Sequence, residues 1–233
     1  MKGIFYAVGV GSGNPLELTL HAKQILEQAD VIVTPVKHAN ADSVAFAIAQ
    51  QVADMRKAET LKIVFPMKPS RDYKNDLRSG VLFPVIEHLK SGKMVVMITL
   101  GDVSIYSTAS YVREIIAESG YQTSIIPGIS SFSAGAAAAQ LSLCENQESL
   151  LILPAVQSPE SVQQAILQAD NIIIMKAGNA LPWLIPMLKE SELLDHTVMM
   201  QNIGMPDAYI GKPVIREKSY FTTLLIKKGS LKS

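Results

Sequence analysis

Gly3-Ile4-Phe5-Tyr6-Ala7-Val8-Gly9-Val10-Gly11-Ser12-Gly13-Asn14-Pro15 is the stretch on which the reading of the fold turns. Residues 3–10 are apolar and β-prone over a strand's length, and glycines stand at 9, 11 and 13. Glycine in such a place lets the backbone turn sharply and lets a ligand approach closely. Asn14 supplies a helix cap, Pro15 suits the first helical position, and Glu17 stands where a capping box wants a carboxylate. The helix is expected over residues 15–29, with Leu16, Leu20, Ala22, Ile25, Leu26 and Ala29 on its apolar face. Strand, glycine loop and helix in that order open an α/β unit.

The same alternation continues outward. Strand-like runs at 31–35, 61–65 and 94–99 are followed by amphipathic stretches at 42–55, 73–91 and 104–119. Such alternation builds a largely parallel sheet. Beyond Gly120 the pattern changes. Residues 123–126 read as a connecting strand. Strands at 150–153, 171–175, 196–202 and 221–227 then alternate with helices at 130–140, 158–168 and 180–190. The last strands follow each other closely, through Tyr209-Ile210-Gly211-Lys212-Pro213, which favours hairpins and an antiparallel or mixed sheet. Two α/β domains are expected, 1–120 and 121–233, with no internal repeat or flexible linker.

Composition narrows the function. The 233 residues are 48% hydrophobic and 18% charged, which fits packed cores and argues against disorder. A formal net charge of zero leaves no broad electrostatic footprint for nucleic acid or anionic lipid. The one cysteine, Cys144, cannot close an internal disulfide, which fits a reducing compartment. The opening residues lack a signal peptide's apolar core and cleavage site, and no apolar run is long enough to span a bilayer. A cytoplasmic chain with no nucleic-acid or membrane partner is expected.

Three glycine- or hydroxyl-rich segments could carry chemistry. The spacing of Gly9, Gly11 and Gly13 is wrong for a dinucleotide fingerprint, and the second strand ends in Thr34-Pro35-Val36-Lys37 rather than an acid. Alone, the segment is as readily a tight turn as a ligand loop. Thr99-Leu100-Gly101-Asp102-Val103-Ser104-Ile105-Tyr106-Ser107-Thr108 follows an apolar strand, and ligands of parallel sheets gather at carboxyl ends. Asp102 could bind an amine or act as a base; Asp102 or Ser104 is also expected to cap the next helix. Pro127-Gly128-Ile129-Ser130-Ser131-Phe132-Ser133-Ala134-Gly135 opens a further helix, but Ser131 stands where a serine-hydrolase elbow needs glycine. His21, His38, His88 and His196 are scattered, so no metal site is expected. Lys68, Arg71 and Lys74 lie in a loop that reads either as a solvated charged segment or as a clamp for substrate carboxylates.

Taken together, these segments resemble the tetrapyrrole methylase family of S-adenosylmethionine (SAM)-dependent enzymes, over nearly the whole chain. The resemblance rests on the loop ending in Pro15, on Gly101-Asp102, and on Pro127-Gly128-Ile129-Ser130-Ser131. Met175-Lys176-Ala177-Gly178-Asn179 and Gln201-Asn202-Ile203-Gly204-Met205-Pro206-Asp207 are similar to the family's later motifs. Val103 stands where many members have proline, and Ser12 and Asn14 replace common loop residues. The resemblance implies two α/β domains with SAM in the cleft between them, and a homodimer. It implies SAM contacts at Pro15, Leu100, Gly101, Asp102, Ile105, Ser130, Ser131, Met175 and Ile203, with Thr222 near the adenine. The implied reaction is methylation at C-20 of a precorrin-2-type tetrapyrrole, either precorrin-2 or cobalt-factor II, on the way to cobalamin. Related enzymes that methylate other ring carbons, and diphthine synthase-like enzymes, share the general motifs. Asp102 is the first candidate base and Tyr106 the second, both by position beside the implied SAM site. Lys68, Arg71 and Lys74 are the candidate grip on the substrate's carboxylates.

Overall fold

The apolar run that opens the chain forms β1 (Ile4–Gly9), and it becomes an inner strand of a five-stranded sheet. A computed structural model describes residues 2–38, 40–65, 77–156, 158–217 and 219–229. They fall into two compact units, Met1–Ser130 and Ser131–Ser233.

In the first unit, β1 is followed by α1 (Leu20–Gln28), β2 (Val31–Val36), α2 (Val44–Ala49) and β3 (Glu59–Val64). Then come α3 (Phe83–Lys90), β4 (Met94–Thr99), α4 (Thr108–Glu118) and β5 (Gln122–Ile126). All pairings are parallel, in the order β3-β2-β4-β1-β5. Side chains of a strand alternate between faces, so each inner strand serves two cores. Phe5, Ala7, Val95 and Met97 pack with Val85, Leu89, Val112 and Ile116 of α3 and α4. Val8, Val10, Val96 and Ile98 pack with Ala22, Leu26, Ala45 and Ala49 of α1 and α2.

The second unit holds α5 (Ser131–Ala138), β6 (Leu150–Leu153), α6 (Pro159–Gln168), β7 (Asn171–Ile174) and α7 (Leu181–Glu190). It ends with β8 (Thr197–Gln201), β9 (Tyr209–Gly211) and β10 (Thr222–Lys227). The sheet order is β6-β7-β10-β8-β9; only β6 and β7 run parallel. This is the mixed sheet that the close spacing of the last strands implies. Ile172, Ile174, Leu224 and Ile226 pack with Val162, Ala165, Leu184 and Leu188 of α6 and α7.

Four local expectations are corrected. Residues 122–126 do not merely connect; β5 pairs with β1 along its length, so the compact unit runs ten residues past Gly120, to Ser130. The helix expected over 15–29 is two pieces, a 3-10 turn at Pro15–Glu17 and then α1, because Leu18 is extended and Thr19 caps afresh. That break leaves Leu16 and Leu20 out of the apolar face: they are 84% and 82% exposed, whereas Ala22, Ile25, Leu26 and Ala29 are buried. Finally, neither Asp102 nor Ser104 caps the next helix. Residues 103–106 form a turn of their own, and Ser107 caps α4 by accepting from the Ala109 amide at 3.2 Å.

Candidate functional site

In the first unit the site begins with a gap between connections. β1 and β4 are neighbours, yet β1 leads to α1 on one face and β4 to α4 on the other. Where connections part in this way, the carboxyl ends of the strands leave a crevice suited to a ligand. The two loops that leave those ends meet directly. The Gly101 amide donates to Gly11 O at 2.7 Å, and the Gly11 amide donates back to Gly101 O at 3.4 Å. Gly11 at φ 82° and Gly101 at φ 67° hold left-handed backbone that favours glycine.

Gly9 and Gly128 complete the wall. A Cβ on Gly128 would stand 2.3 Å from Gly101 O and 2.7 Å from Gly9 C. A Cβ on Gly9 would stand 2.5 Å from Gly101 O. Backbone therefore packs on backbone at the ends of β1, β4 and β5, with no room for a side chain. The sequence displays these glycines, but only the parallel sheet shows that they touch.

Asp102 ties this cluster together. Its Oδ2 accepts from the Gly128 amide at 2.8 Å. Its Oδ1 accepts from the Ser104 amide at 2.8 Å and from the Ser104 hydroxyl. An ionised carboxylate offers about four acceptor positions, so the three donors leave one open, on Oδ2. Tyr106 follows at φ 48°, a left-handed conformation rare for a non-glycine residue, and its side chain is half exposed. Holding it there costs on the order of 1–3 kcal/mol, and such strain collects at ligand sites. Pro15 sits in the 3-10 turn that follows β1 and is half-buried, as are Leu100, next after β4, and Ile105 in the turn at 103–106. Ser130 is buried at the end of the first unit.

The expected capping box does not form. Asn14 accepts from the Leu16 amide at 3.0 Å. The Glu17 carboxylate passes over Asn14 and takes both the Ser12 hydroxyl, at 2.8 Å, and the Ser12 amide, at 3.3 Å. The loops at 9–19, 99–108 and 127–131 contain no lysine or arginine. Three loops with carboxylates and no cation of their own suit a positively charged ligand.

In the second unit, Met175, Ile203 and Thr222 come to one edge of the mixed sheet. β7 and β8 end there and the antiparallel β10 begins there, with Thr222 opposite Gln201 and Leu224 opposite Ile174. Thr222 is fully buried, and its hydroxyl is engaged: it donates to Ser219 O at 2.9 Å and accepts from Gln201 Nε2 at 3.1 Å. Gln201 Nε2 also donates to Glu217 O at 3.0 Å. Asn202, at φ 52°, donates its amide to Phe221 O and takes the Ser219 hydroxyl on Oδ1. Met175 is half-buried, and the following Lys176, at φ 56°, lays its Nζ 5.3 Å from the Tyr220 ring centre. Ile203 is buried. Ser131 opens α5, whose Gly135 packs against Met200. Gln201 and Asn202 stood out in the sequence as part of a family-like motif; their bonds to Thr222 and Ser219 did not, because those partners lie on a later segment.

Lys68, Arg71 and Lys74 lie outside the described residues. Among the described residues, no group of three or more His, Cys, Asp or Glu side chains is placed to hold a metal ion, and no helix is long and apolar enough to cross a membrane.

Comparison with known proteins agrees with this geometry. The family model for Tetrapyrrole (Corrin/Porphyrin) Methylases matches residues 5–218. The probable cobalt-precorrin-2 C(20)-methyltransferase of Methanocaldococcus jannaschii is 37% identical over 75% of this chain and 72% of its own length. The cobalt-precorrin-2 C(20)-methyltransferase of Salmonella typhimurium is 28% identical over 98% of each chain. In fold, the chain is similar to the uroporphyrin-III C-methyl transferase of Thermus thermophilus complexed with S-adenyl homocysteine, at 15% identity and a TM-score of 0.65, over 97% of this chain and 98% of the other. With a match over nearly its whole length, and glycine-walled loops at the carboxyl edge of a parallel sheet, this chain belongs to the tetrapyrrole methylase family.

Proposed function

We propose that this protein is a SAM-dependent methyltransferase that transfers a methyl group to C-20 of a precorrin-2-type tetrapyrrole in cobalamin biosynthesis. The observation that carries the cofactor assignment is the glycine cluster latched by Asp102 beside loops that hold no cation. The two C(20)-methyltransferases of M. jannaschii and S. typhimurium support the ring position. SAM, when bound, supplies an electrophilic methyl group on a sulfonium. The residues proposed to hold it, as the family resemblance implies, are Pro15, Leu100, Gly101, Asp102, Ile105, Ser130, Ser131, Met175, Ile203 and Thr222. Because the Thr222 hydroxyl is already engaged on both sides, its part is to fix neighbouring backbone rather than to donate afresh.

The chain's main contribution is alignment. A rigid backbone wall keeps the acceptor carbon and the methyl donor in one geometry, which lowers the barrier without acid or metal assistance. After transfer, the methylated carbon must lose its proton. The open acceptor position of Asp102 makes it the first candidate base, and Tyr106 is the second. Leu16 and Leu20 are exposed on the segment that follows β1 and offer apolar surface to a flat macrocycle. Lys68, Arg71 and Lys74 are proposed to grip its carboxylates; charge reversal there is expected to raise the substrate KM. The reading includes cobalt-factor II as an acceptable substrate, a cytoplasmic location and a homodimer. Light scattering tests the dimer, and cell fractionation tests the location.

The deciding experiment supplies methyl-labelled SAM with either metal-free precorrin-2 or cobalt-factor II and locates the label by NMR. Label at C-20 is expected. Label at another ring carbon would overturn the regiochemistry, and no S-adenosylhomocysteine from either substrate would overturn the function.

A further inference from the structure

We infer that Glu17 is a positioning residue for the cofactor loop, acting through Ser12 as an internal strut. The inference rests on the SAM reading above and deepens it. Glu17 lies in the 3-10 turn after the loop, and the loop residue it holds is five positions earlier. One oxygen, Oε2, receives both the Ser12 hydroxyl at 2.8 Å and the Ser12 amide at 3.3 Å. Ser12 is 8% exposed, so these donors are largely withdrawn from water. A buried amide without an acceptor is costly, and the carboxylate supplies one.

The strut bears directly on the wall of the site. Ser12 follows Gly11, whose left-handed backbone forms the reciprocal bridge to Gly101. The body of Glu17 also lies against Gly11: a Cβ there would stand 3.1 Å from Glu17 Cβ and 3.4 Å from Glu17 O. One side chain therefore holds Ser12 by hydrogen bonds and backs Gly11 by contact. The remaining length of the loop has its own local fastening, with the Glu17 amide donating to Asn14 O at 3.0 Å. Loss of the carboxylate leaves that turn and the Gly11–Gly101 bridge in place while freeing Ser12. The expected consequence is a loop that still forms but samples more than one conformation, so cofactor affinity falls before chemistry does.

The test measures S-adenosylhomocysteine (SAH) binding by calorimetry on the whole chain, with SAM kinetics alongside. Glu17→Ala, which removes both hydrogen bonds to Ser12, is expected to raise the SAH Kd and the SAM KM about tenfold, because the loss reaches the cofactor only through the loop. At saturating SAM, kcat should change by less than about threefold, since the loss is in ground-state binding. Glu17→Gln keeps an oxygen that can accept from both Ser12 donors and should recover most of the affinity. Ser12→Ala should weaken binding less than Glu17→Ala, and the double variant should be no worse than Glu17→Ala alone, because the two side chains act as one unit. If Glu17→Ala proves unstable, Ser12→Ala and Glu17→Gln carry the comparison. Equal SAH affinity in wild type, Ser12→Ala and Glu17→Ala would overturn the strut, as would strictly additive losses. A wild-type chain that binds no SAH would instead bring down the cofactor reading itself.

Discussion

The two units build their ligand edges by different means. In the first, every strand is parallel, so all carboxyl ends lie along one edge and loops distant in sequence meet there as backbone on backbone. Gly9 lies about ninety residues before Gly101, and Gly128 about thirty after it, but they pack at distances only glycine tolerates. In the second unit, the mixed sheet brings the ends of β7 and β8 to the start of β10; one backbone approach is as tight, since a Cβ on Gly178 would stand 2.2 Å from Ser219 O, but most of the joining is by polar side chains, Gln201 to Thr222 and Ser219 to Asn202. A wall of backbone is rigid and intolerant of substitution. A side-chain network is adjustable and should fail in smaller steps.

The largest effect that could break this contrast is expected at Gly128. Gly128→Ala places a methyl group 2.3 Å from Gly101 O, a backbone atom that cannot rotate away. Overpacking of this kind costs about 1–3 kcal/mol or more, and SAH affinity should fall on the order of a hundredfold. In the second unit, Gly135→Ala meets Met200 Sδ at 2.6 Å, the flexible part of a side chain. Its cost should stay under about 1 kcal/mol because methionine adapts. Calorimetry and thermal melts on the pair check both; similar losses at the two positions would remove the distinction.

Asp102→Asn comes next. It keeps one acceptor oxygen but loses the carboxylate that serves three donors. If Asp102 takes the proton, kcat should fall about a hundredfold, within the usual range for a general base. Rapid-quench single turnovers report the chemical step directly, and normal turnover with tight SAM binding would dispose of the assignment.

A smaller effect is expected from Thr222→Val. It breaks the buried chain from Gln201 to Ser219 O, but Gln201 retains Glu217 O. A loss of about 1–2 kcal/mol follows. For a chain of this size, that lowers Tm by about 2–8 °C in a calorimetric scan.

The smallest is a pH effect at the β6 and β7 edge of the second sheet. The Asn171 side-chain amide, and then the Glu145 backbone amide, hold the Glu148 carboxyl below the usual range. The backbone amide and hydroxyl of Ser149 do the same for Asp170. Both folded values are lowered, so their contribution is present above the ordinary carboxylate range and is lost as pH falls through the folded values. Amide exchange in β6 and β7, relative to its intrinsic rate, should therefore speed up as pH falls below the ordinary carboxylate range and through the folded values. Asn171→Leu should flatten the Glu148 part of that dependence.

Much of the fold was legible from local pattern. Residues 94–99 match β4 at both ends, and 150–153 match β6, because short apolar runs bounded by turn residues leave little choice. Residues 123–126 were legible as a strand, but that β5 pairs with β1 was not, since no local signal names a strand's partner. The helix drawn over 15–29 missed its break because Leu16 and Leu20 fit a helical period while lying outside the core. At the site, Gly101 and Asp102 were visible as a motif. The partners of Asp102 were not: the Gly128 amide lies 26 residues away, and no periodicity links them.

By itself, the sequence determined the α/β alternation, the change to a mixed sheet in the second half, and the glycine and hydroxyl segments that mark the family. These are local properties, set by apolar period and by residues that turn or cap a chain. Tertiary structure alone decided that β1 and β4 lie side by side with connections on opposite faces. It also decided that Asp102 latches Gly128, and that Glu17 reaches back to Ser12 instead of completing a capping box. Those outcomes depend on which strands become neighbours and on which donors are left without water, and both are settled only when the sheet assembles.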